Sequence, residues 1–310
     1  MAAMCVGADA PLSSTIVEAG PPPVPAEGQV CVHVAKLVVT ANTLTYAVAG
    51  KNPMLKYFQN FPVPDDVPGA EDLAMCPVWG TGVVTASKCA ELPEGTRIHG
   101  YFTFAPYVLL TPKMTGAATF TDVEPRREGI IPAYLSYQTA ADPKFAGLDY
   151  DGEDYQMATG VLFGTGWGMA HVAATHEAKP TALILTSASS RTSRAAAFAA
   201  KHDSLPLEVI GITSPSNLEY TESLGLYDTV IVYGDEASLS KQKVAISDVA
   251  GSATVRQALY RHFGEQIVYC GSVGASRFEV RKRQEQLTLG FDRKTERSLP
   301  RQAPDRCRTT

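Results

Sequence analysis

The second half of the chain alternates short apolar segments with amphipathic ones, and this alternation limits its possible folds more than any other feature. Between residues 181 and 272, apolar segments such as TALILT and LEVIGIT are followed by helix-like segments such as SRAAAFAAKH. Strands that are apolar on both faces and joined by helices belong to a parallel sheet covered on both sides. In TVRQALYRHFG, Val255, Leu259 and Phe263 share one helical face, as a helix packed on a sheet requires. We therefore predict a doubly wound parallel α/β domain.

Residues 1–128 have a different pattern, in which many short β-rich segments are separated by turn residues. We expect strands in GTGVVTASKC at 80–89, in TRIHGYFTF at 96–104 and in YVLLTP at 107–112. Turn residues such as those of LPEG lie between them. Many short strands at close spacing indicate a small β-barrel or a rolled sheet. The first part of the chain is therefore predicted to be a separate, mostly β domain.

Two segments after residue 128, IIPAYLSYQTAA and DYQMATGVLFGTGWGMAHVAATHEA, look helical. We interpret them as a bridge that leads from the β-rich part to the α/β part. The predicted organisation is a β-rich substrate domain at 1–128, the helical bridge with the α/β domain at 129–278, and a tail at 279–310.

The charge distribution argues against nucleic acid as the main partner. The net charge of the 310 residues is −5, yet residues 279–310 hold nine Lys and Arg against five Asp and Glu. The tail therefore carries +4 and the rest of the chain −9, and an acidic body repels a phosphate backbone. We expect the tail to be a solvated, disordered or variant extension, with contact to an acidic surface as the alternative.

Cysteine usage and hydropathy predict a soluble, cytoplasmic protein without a metal site. The six cysteines are scattered, and no pair has the C-x-x-C spacing of a zinc lobe. Scattered thiols are typical of a reducing compartment. The N-terminus MAAMCVGADAPLSS lacks a basic patch followed by an apolar core, and no apolar stretch reaches the roughly 18 residues of a membrane span. We therefore expect neither a secretory signal nor a membrane partner.

The segment LTSASSRTSRAAA places a polar loop between an apolar strand and an alanine-rich helix. In a parallel sheet this turn takes the pyrophosphate of a dinucleotide, because the helix N-terminus offers unpaired N–H groups. Glycine normally stands in the turn, but this loop has small hydroxyl residues and one arginine instead. The alternative is that Ser190 or Thr192 only caps the helix. The candidate cofactor-binding residues of the loop are Ser187, Ser189, Ser190, Arg191 and Thr192.

The end of the second strand predicts which nicotinamide cofactor the site prefers. NAD-selective sites usually place a carboxylate there to hold the ribose diol. In VIGITSPSNLEY the strand is instead followed by neutral side chains, of which Thr213, Ser214 and Asn217 are our candidates. Neutral groups tolerate a 2′-phosphate better than a carboxylate does, so we expect NADP(H). The alternative is a plain Ser-Pro turn with Asn217 capping the next helix.

The order of these segments, over residues 15–278, resembles the medium-chain dehydrogenase/reductase superfamily. EGQVCVHVAKLVVTANTLTYAVAG is similar to its opening strands, GTGVVTAS to its barrel segment, and the βαβ part to its nucleotide domain. The closest resemblance is to zinc-free quinone oxidoreductases and enoyl reductases. TANTLTYA, PVWG, LTSASS, LGLYD and RHFG are similar to a branch known only as a domain of unknown function. The resemblance implies a GroES-like β-barrel domain followed by a Rossmann-type domain.

What the resemblance implies about function is hydride transfer from NADPH to a double bond conjugated to a carbonyl, without zinc. Asn42 and Tyr46 match the family's asparagine and tyrosine near the substrate, so they are the candidate catalytic residues. A phenol can donate to a developing enolate, although a tyrosine beside a strand also packs its ring. Tyr233 and Asp248, at the ends of later strands, are further cofactor candidates. The implied partners are a small-molecule substrate and a second copy of the chain.

The missing glycines leave a second hypothesis open. A relative that has lost catalysis would use the same fold to bind a metabolite or a partner protein. The glycine-free loop favours this hypothesis, whereas the strand–loop–helix order and the hydroxyl residues favour the reductase.

Overall fold

The structure is a computed structural model that describes residues 1–64, 67–142, 145, 150–249, 251–273 and 307–309. The chain divides into a first unit, Met1–Ala158, and a second unit, Thr159–Thr310. The first unit extends past residue 128, where the sequence analysis placed the boundary, because a strand after that residue joins its sheet. The predicted tail at 279–310 lies outside the described residues, except for Cys307–Thr309.

The first unit consists mainly of antiparallel strands. They are β1 (Ala2–Gly7), β2 (Ser14–Glu18), β3 (Val30–Val38), β4 (Leu73–Ala74), β5 (Pro77–Ser87), β6 (Arg97–Thr103), β7 (Tyr107–Leu110), β8 (Pro112–Met114), β9 (Thr119–Asp122) and β10 (Ser136–Thr139). Seven of them form a nearly closed, barrel-like sheet in the order β7-β3-β5-β6-β10-β9-β8, and β2-β1-β4 form a small sheet. This architecture confirms the GroES-like β-barrel domain and the strands predicted at 80–89, 96–104 and 107–112.

The prediction of a helix in IIPAYLSYQTAA was wrong. A single 3-10 turn, Pro132–Tyr134, is followed by β10, which pairs with β6 and β9. Tyr137 and Thr139 are buried and alternate with more exposed neighbours, which is the period of a strand. The pairing with two distant strands therefore decides the conformation of this segment.

One face of β6 fills the barrel, and the other face carries a second cluster. Ile98 and Phe102 belong to the barrel core together with Phe120 and Tyr137. Tyr101, on the opposite face, packs with residues of α1 (Ala41–Val48) and of a 3-10 turn at Tyr57–Gln59. Because strand side chains alternate between faces, β6 separates an apolar interior from an aromatic, hydroxyl-rich exterior.

A buried ion pair lies at the end of β9. The Arg127 guanidinium lies 2.9 Å from the Asp122 carboxylate, and both side chains are almost inaccessible to solvent. Arg127 also donates to the Tyr137 hydroxyl at 3.0 Å and to the Asn60 carbonyl at 3.1 Å. Two backbone N–H groups, of Thr111 and Glu124, donate to the other Asp122 oxygen. A buried pair with this many hydrogen bonds is strongly destabilised by the loss of one partner.

The second unit is a parallel sheet with helices. Its elements are α2 (Tyr150–Thr175, which begins in the first unit), β11 (Ala182–Thr186), α3 (Arg191–His202), β12 (Glu208–Thr213), α4 (Leu218–Ser223), β13 (Thr229–Val232), β14 (Val244–Asp248), α5 (Ala253–Phe263), β15 (Ile267–Ser272) and β16 (Cys307–Thr309). The strand order is β13-β12-β11-β14-β15-β16. This is the order of a Rossmann-type sheet, with its switch point between β11 and β14. The predicted doubly wound sheet is confirmed.

Helices cover both faces of this sheet. Alanines of α3 and small residues of α2 pack on one face, and Val255, Leu259 and Phe263 of α5 pack on the other. Gly166 of α2 lies so close to α3 that an added Cβ would be 2.6 Å from the Thr192 carbonyl oxygen. Within the described part of the chain, no helix is long and apolar enough to cross a membrane.

Candidate functional site

The loop between β11 and α3 has the geometry of a phosphate-binding turn. Ser187 follows β11 with φ of 50°, the left-handed conformation that glycine adopts without strain. Ser190 is the N-cap of α3, and its hydroxyl accepts from the Ser193 N–H at 3.2 Å. Ser190 therefore caps α3. Capping leaves the remaining N–H groups of the first turn available, so it is compatible with anion binding.

Two N–H groups at the start of α3 remain without an acceptor. Those of Arg191 and Thr192 have no hydrogen-bond partner among the described residues, since the first helical bond is Arg194 N–H to the Ser190 carbonyl. Unpaired N–H groups and the helix dipole favour an anion at this point. Arg191 is exposed and adds a positive charge beside them. The start of α3 therefore offers two unpaired backbone N–H groups to an anion although the loop has no glycine.

The residues after β12 form a hydroxyl-rich border to this loop. The Thr213 hydroxyl is buried, at 1% exposure, and has no hydrogen-bond partner. Ser214 and Ser216 share a hydrogen bond of 3.0 Å, and Asn217 donates to the Ser189 hydroxyl at 3.2 Å. The structure thus brings Thr213, Ser214 and Asn217 to the same edge as the loop. A buried polar atom without a partner needs an explanation, and a ligand is one.

Tyr233 and Asp248 occupy different places at this edge. The Tyr233 hydroxyl accepts from the Ser187 N–H at 2.9 Å, so it directly contacts the loop. Asp248 is fully buried, accepting from the Thr186 hydroxyl at 2.8 Å and pairing with Arg256 at 2.9 Å. Its carboxylate connects β14, on which it lies, to β11 and α5, and these contacts stabilise the fold. Among the described residues, no group of three His, Cys, Asp or Glu is arranged to hold a metal ion.

The first unit contains a tyrosine cluster, formed by Tyr46, Tyr57, Tyr101 and Tyr134 with Trp79. Ring centroids in this cluster are 4.8 to 6.1 Å apart. Tyr46 lies on α1, one turn after Asn42, whose side chain is only partly buried. Residues four apart share a helical face, so the structure brings the two predicted catalytic residues to one side of α1.

Three of the four phenols take part in side-chain hydrogen bonds. Trp79 Nε1 donates to the Tyr46 hydroxyl at 3.0 Å, and the Tyr57 and Tyr134 hydroxyls are 3.1 Å apart. Burial, followed by the neighbouring Tyr134, raises the pKa of Tyr46 and of Tyr57 well above the usual value. These phenols therefore remain protonated at neutral pH and can act as hydrogen-bond donors.

Two buried polar side chains on the outer face of β6 lack hydrogen-bond partners. Neither was among the site residues predicted from the sequence. The Tyr101 hydroxyl is fully buried without a hydrogen bond, and both ring nitrogens of His99 are likewise unpaired. Burial and then the Arg97 charge lower the pKa of His99 to about 4, so its imidazole is neutral. The sequence indicates these two residues only through their alternation with the core residues Ile98 and Phe102 along one strand.

Comparison with known proteins places the chain in a family. Residues 37–308 match the family model described as "Protein of unknown function (DUF2855)". The chain belongs to this family. No curated protein matches the chain. The branch recognised from TANTLTYA and LTSASS is therefore confirmed as one without an assigned function.

Solved structures show the same fold at low identity. CurA from Vibrio vulnificus in complex with NADPH has 14% identity and a TM-score of 0.58, over 100% of this chain and 81% of that protein. The mycobacterial Rv1454c complexed with NADPH has 16% identity and a TM-score of 0.52, over 89% and 73%. A thermostable alcohol dehydrogenase from Pyrobaculum aerophilum has 17% identity and a TM-score of 0.52, over 89% and 77%. The chain therefore has the medium-chain dehydrogenase/reductase fold.

Proposed function

We propose that the protein is an NADP(H)-dependent, zinc-independent oxidoreductase that reduces a conjugated carbonyl or enoyl substrate. The observation that carries the proposal is the pair of unpaired N–H groups at the start of α3, together with the unpaired Thr213 hydroxyl at the end of β12. Both belong to the edge of the sheet where ligands of open α/β folds bind. Two structures of the same fold, CurA and Rv1454c, contain NADPH, which supports the choice of cofactor.

The residues of this edge fit a phosphorylated dinucleotide. The N–H groups of Arg191 and Thr192 would receive the pyrophosphate, and the Arg191 side chain would add a charge-assisted contact. The hydroxyls of Thr213 and Ser214 would border the adenosine ribose, where no carboxylate opposes a 2′-phosphate. When bound, NADPH would supply the reducing electrons.

The tyrosine cluster supplies the polar groups that this chemistry needs on the substrate side. Reduction of a conjugated carbonyl places negative charge on the carbonyl oxygen, and a neutral phenol stabilises that charge by donating a hydrogen bond. Tyr46 is the phenol predicted from the sequence, and it stays protonated because burial raises its pKa. Trp79 holds the Tyr46 hydroxyl by the bond from Nε1.

The cofactor proposal is tested by thermal melting with NADPH and with NADH. A ligand at one hundred times its dissociation constant stabilises the folded state by about 2.7 kcal/mol, which is a clear rise in Tm. We expect the rise with NADPH to exceed that with NADH, and Arg191→Ala to reduce it. The matched control is Arg261→Ala, at an exposed arginine of α5. Unchanged melting at millimolar NADPH would contradict the proposal.

One observation favours a second candidate, a non-catalytic binding protein of the same fold. The Ser187 N–H and the Ser189 hydroxyl already have partners, Tyr233 and Asn217, so part of the loop is satisfied without a ligand. A protein of this kind would melt unchanged with both nicotinamide cofactors. The same melting experiment therefore separates the two candidates.

A further inference from the structure

Within the tyrosine cluster, Tyr101 differs from the other phenols in one respect. Tyr46 is bonded to Trp79, and Tyr57 is bonded to Tyr134. The Tyr101 hydroxyl is as deeply buried as any of them, yet it has no hydrogen-bond partner. Leaving a buried hydroxyl unpaired is unfavourable, and native structures retain such groups mainly where a ligand or a water pairs with them.

We propose that Tyr101 donates the hydrogen bond to the substrate's carbonyl oxygen, and that the group carrying this oxygen is uncharged. The inference rests on the proposed reductase function, assigns the donor role to Tyr101 instead of Tyr46, and names the substrate class. The hydroxyls of Tyr46, Tyr57 and Tyr134 already have protein partners, whereas the Tyr101 hydroxyl has none.

His99 supports the assignment from a second position on the same strand. It lies two residues before Tyr101, so both side chains are on the outer face of β6. His99 is 6% exposed, and its ring stacks on that of Phe145 with centroids 3.7 Å apart and neither nitrogen hydrogen-bonded. A neutral imidazole offers one donor and one acceptor. Two unpaired polar groups on one strand face are together a site for a polar ligand.

The charges around this face explain why the ligand is uncharged. The ring contacts of Tyr101 are with other phenols and with Trp79, none of which carries a charge. The charged groups that act on His99 are Arg97 and Asp142, and their effects on it are opposite in sign. A carboxylate or phosphate buried here would lack a compensating charge, which is strongly unfavourable. A neutral ketone, aldehyde or ester carbonyl has no such penalty.

Two partly exposed rings, Trp79 and Tyr134, cover Tyr101. A substrate must displace one of these rings to reach the phenol, which breaks the bond from Trp79 to Tyr46 or the bond between Tyr57 and Tyr134.

The experiment uses 4-(dimethylamino)cinnamaldehyde, a neutral conjugated aldehyde whose absorption moves to longer wavelength when its carbonyl accepts a hydrogen bond. The full chain is titrated with this probe, with and without NADPH. We expect the wild type to shift the band, and Tyr101→Phe to lose the shift and bind about five- to tenfold more weakly. The matched control, Tyr57→Phe, removes a paired phenol of the same cluster and should keep the shift.

Melting of the same variants tests whether the hydroxyl is unpaired in the free protein. Because Tyr101→Phe removes no hydrogen bond, its Tm should equal or exceed that of the wild type, whereas Tyr57→Phe should melt lower. A Tyr101→Phe protein that melts lower than the wild type, or does not fold, would show that the hydroxyl is structural and overturn the inference. A retained band shift in Tyr101→Phe, or none in the wild type, would also overturn it.

The outcome is separable from that of the proposed function. If NADPH raises Tm but the wild type gives no band shift, the Tyr101 inference fails and the cofactor proposal stands. If NADPH has no effect on Tm, the reductase proposal fails, whatever the probe shows.

Discussion

The candidate sites of the two units are built from different parts of the polypeptide. In the second unit, the open groups are backbone N–H groups at the start of α3, which follows a loop of small hydroxyl residues. In the first unit, the open groups are side chains, the phenol of Tyr101 and the imidazole of His99. One site depends on where the main chain turns, and the other depends on which side chains meet.

The difference teaches where substitution is tolerated. A turn can exchange glycine for serine and keep its N–H groups, at the cost of about 1–2 kcal/mol for a left-handed residue such as Ser187. A side-chain site cannot exchange its residues without losing the groups themselves. We therefore expect side-chain truncations to change stability or binding most in the first unit. In the second unit, added Cβ atoms should have the larger effect.

The largest effect on the free energy of unfolding is expected at the buried ion pair of the first unit, between Arg127 and Asp122. Arg127→Met leaves the Asp122 carboxylate buried without its partner, and should lower the free energy of unfolding by about 3–5 kcal/mol. Urea unfolding of a Trp167→Phe background, followed by the fluorescence of Trp79, measures this in the first unit. Arg126→Met, at a more exposed pair, is the control and should cost under about 1 kcal/mol. Equal losses for the two variants would contradict the prediction.

The next largest effect is expected from His99, which should make the free energy of unfolding of the first unit depend on pH. Its pKa is about 4 in the folded protein, against an ordinary value of 6.5, so the unfolded chain binds more protons between these values. The free energy of unfolding should therefore fall as pH drops from about 6.5 to about 4, by on the order of 3 kcal/mol.

Urea titrations across this range, with and without His99→Gln, check the dependence. The variant should show a flatter profile. Phe145→Ala, which removes the ring stacked on the imidazole, should flatten it in part because the imidazole becomes hydrated. An unchanged profile in His99→Gln would assign the dependence to other groups.

In the second unit, the close approach of α2 to α3 should be sensitive to a single added carbon. Gly166→Ala places a Cβ 2.6 Å from the Thr192 carbonyl oxygen and 2.7 Å from the Ala195 Cβ. The resulting overpacking should cost about 1–3 kcal/mol and weaken NADPH binding, since the first turn of α3 must move.

Gly164→Ala is the matched control on the same helix. Its added Cβ meets no atom within 4 Å, so the substitution should stabilise by about 0.5–1 kcal/mol through helix propensity. Thermal melting of both variants, with and without NADPH, makes the comparison. Loss of stability in both would show that α2 resists alanine for a reason other than contact with α3.

The smallest effect is expected at the helix cap. Ser190→Ala removes the acceptor for the Ser193 N–H and should cost about 1 kcal/mol. If backbone N–H groups carry the phosphate, the NADPH affinity of this variant should change less than threefold when measured by titration. A large loss of affinity would instead place the serine hydroxyl at the phosphate, and would weaken the contrast between the units.

Most of the second unit could be predicted from its sequence. β11, α3, β12 and α5 lie where the apolar periodicity placed them, and the loop at Ser187 lies at the predicted sheet edge. This succeeds because strand and helix periods, and the turn at a strand end, depend on neighbours in sequence. The helix expected in IIPAYLSYQTAA fails for the opposite reason, since β10 exists through pairing with β6 and β9.

By itself the sequence determined the two-part architecture and the place of the polar loop between β11 and α3 at the edge of the sheet. Only the tertiary structure decided that Tyr46, Tyr57, Tyr101 and Tyr134 meet, and that the Tyr101 hydroxyl and the His99 ring are buried in the first unit without hydrogen-bond partners. The physical reason is that periodicity states which face a residue takes. Whether a buried hydroxyl or imidazole finds a partner depends on side chains brought from distant strands and loops.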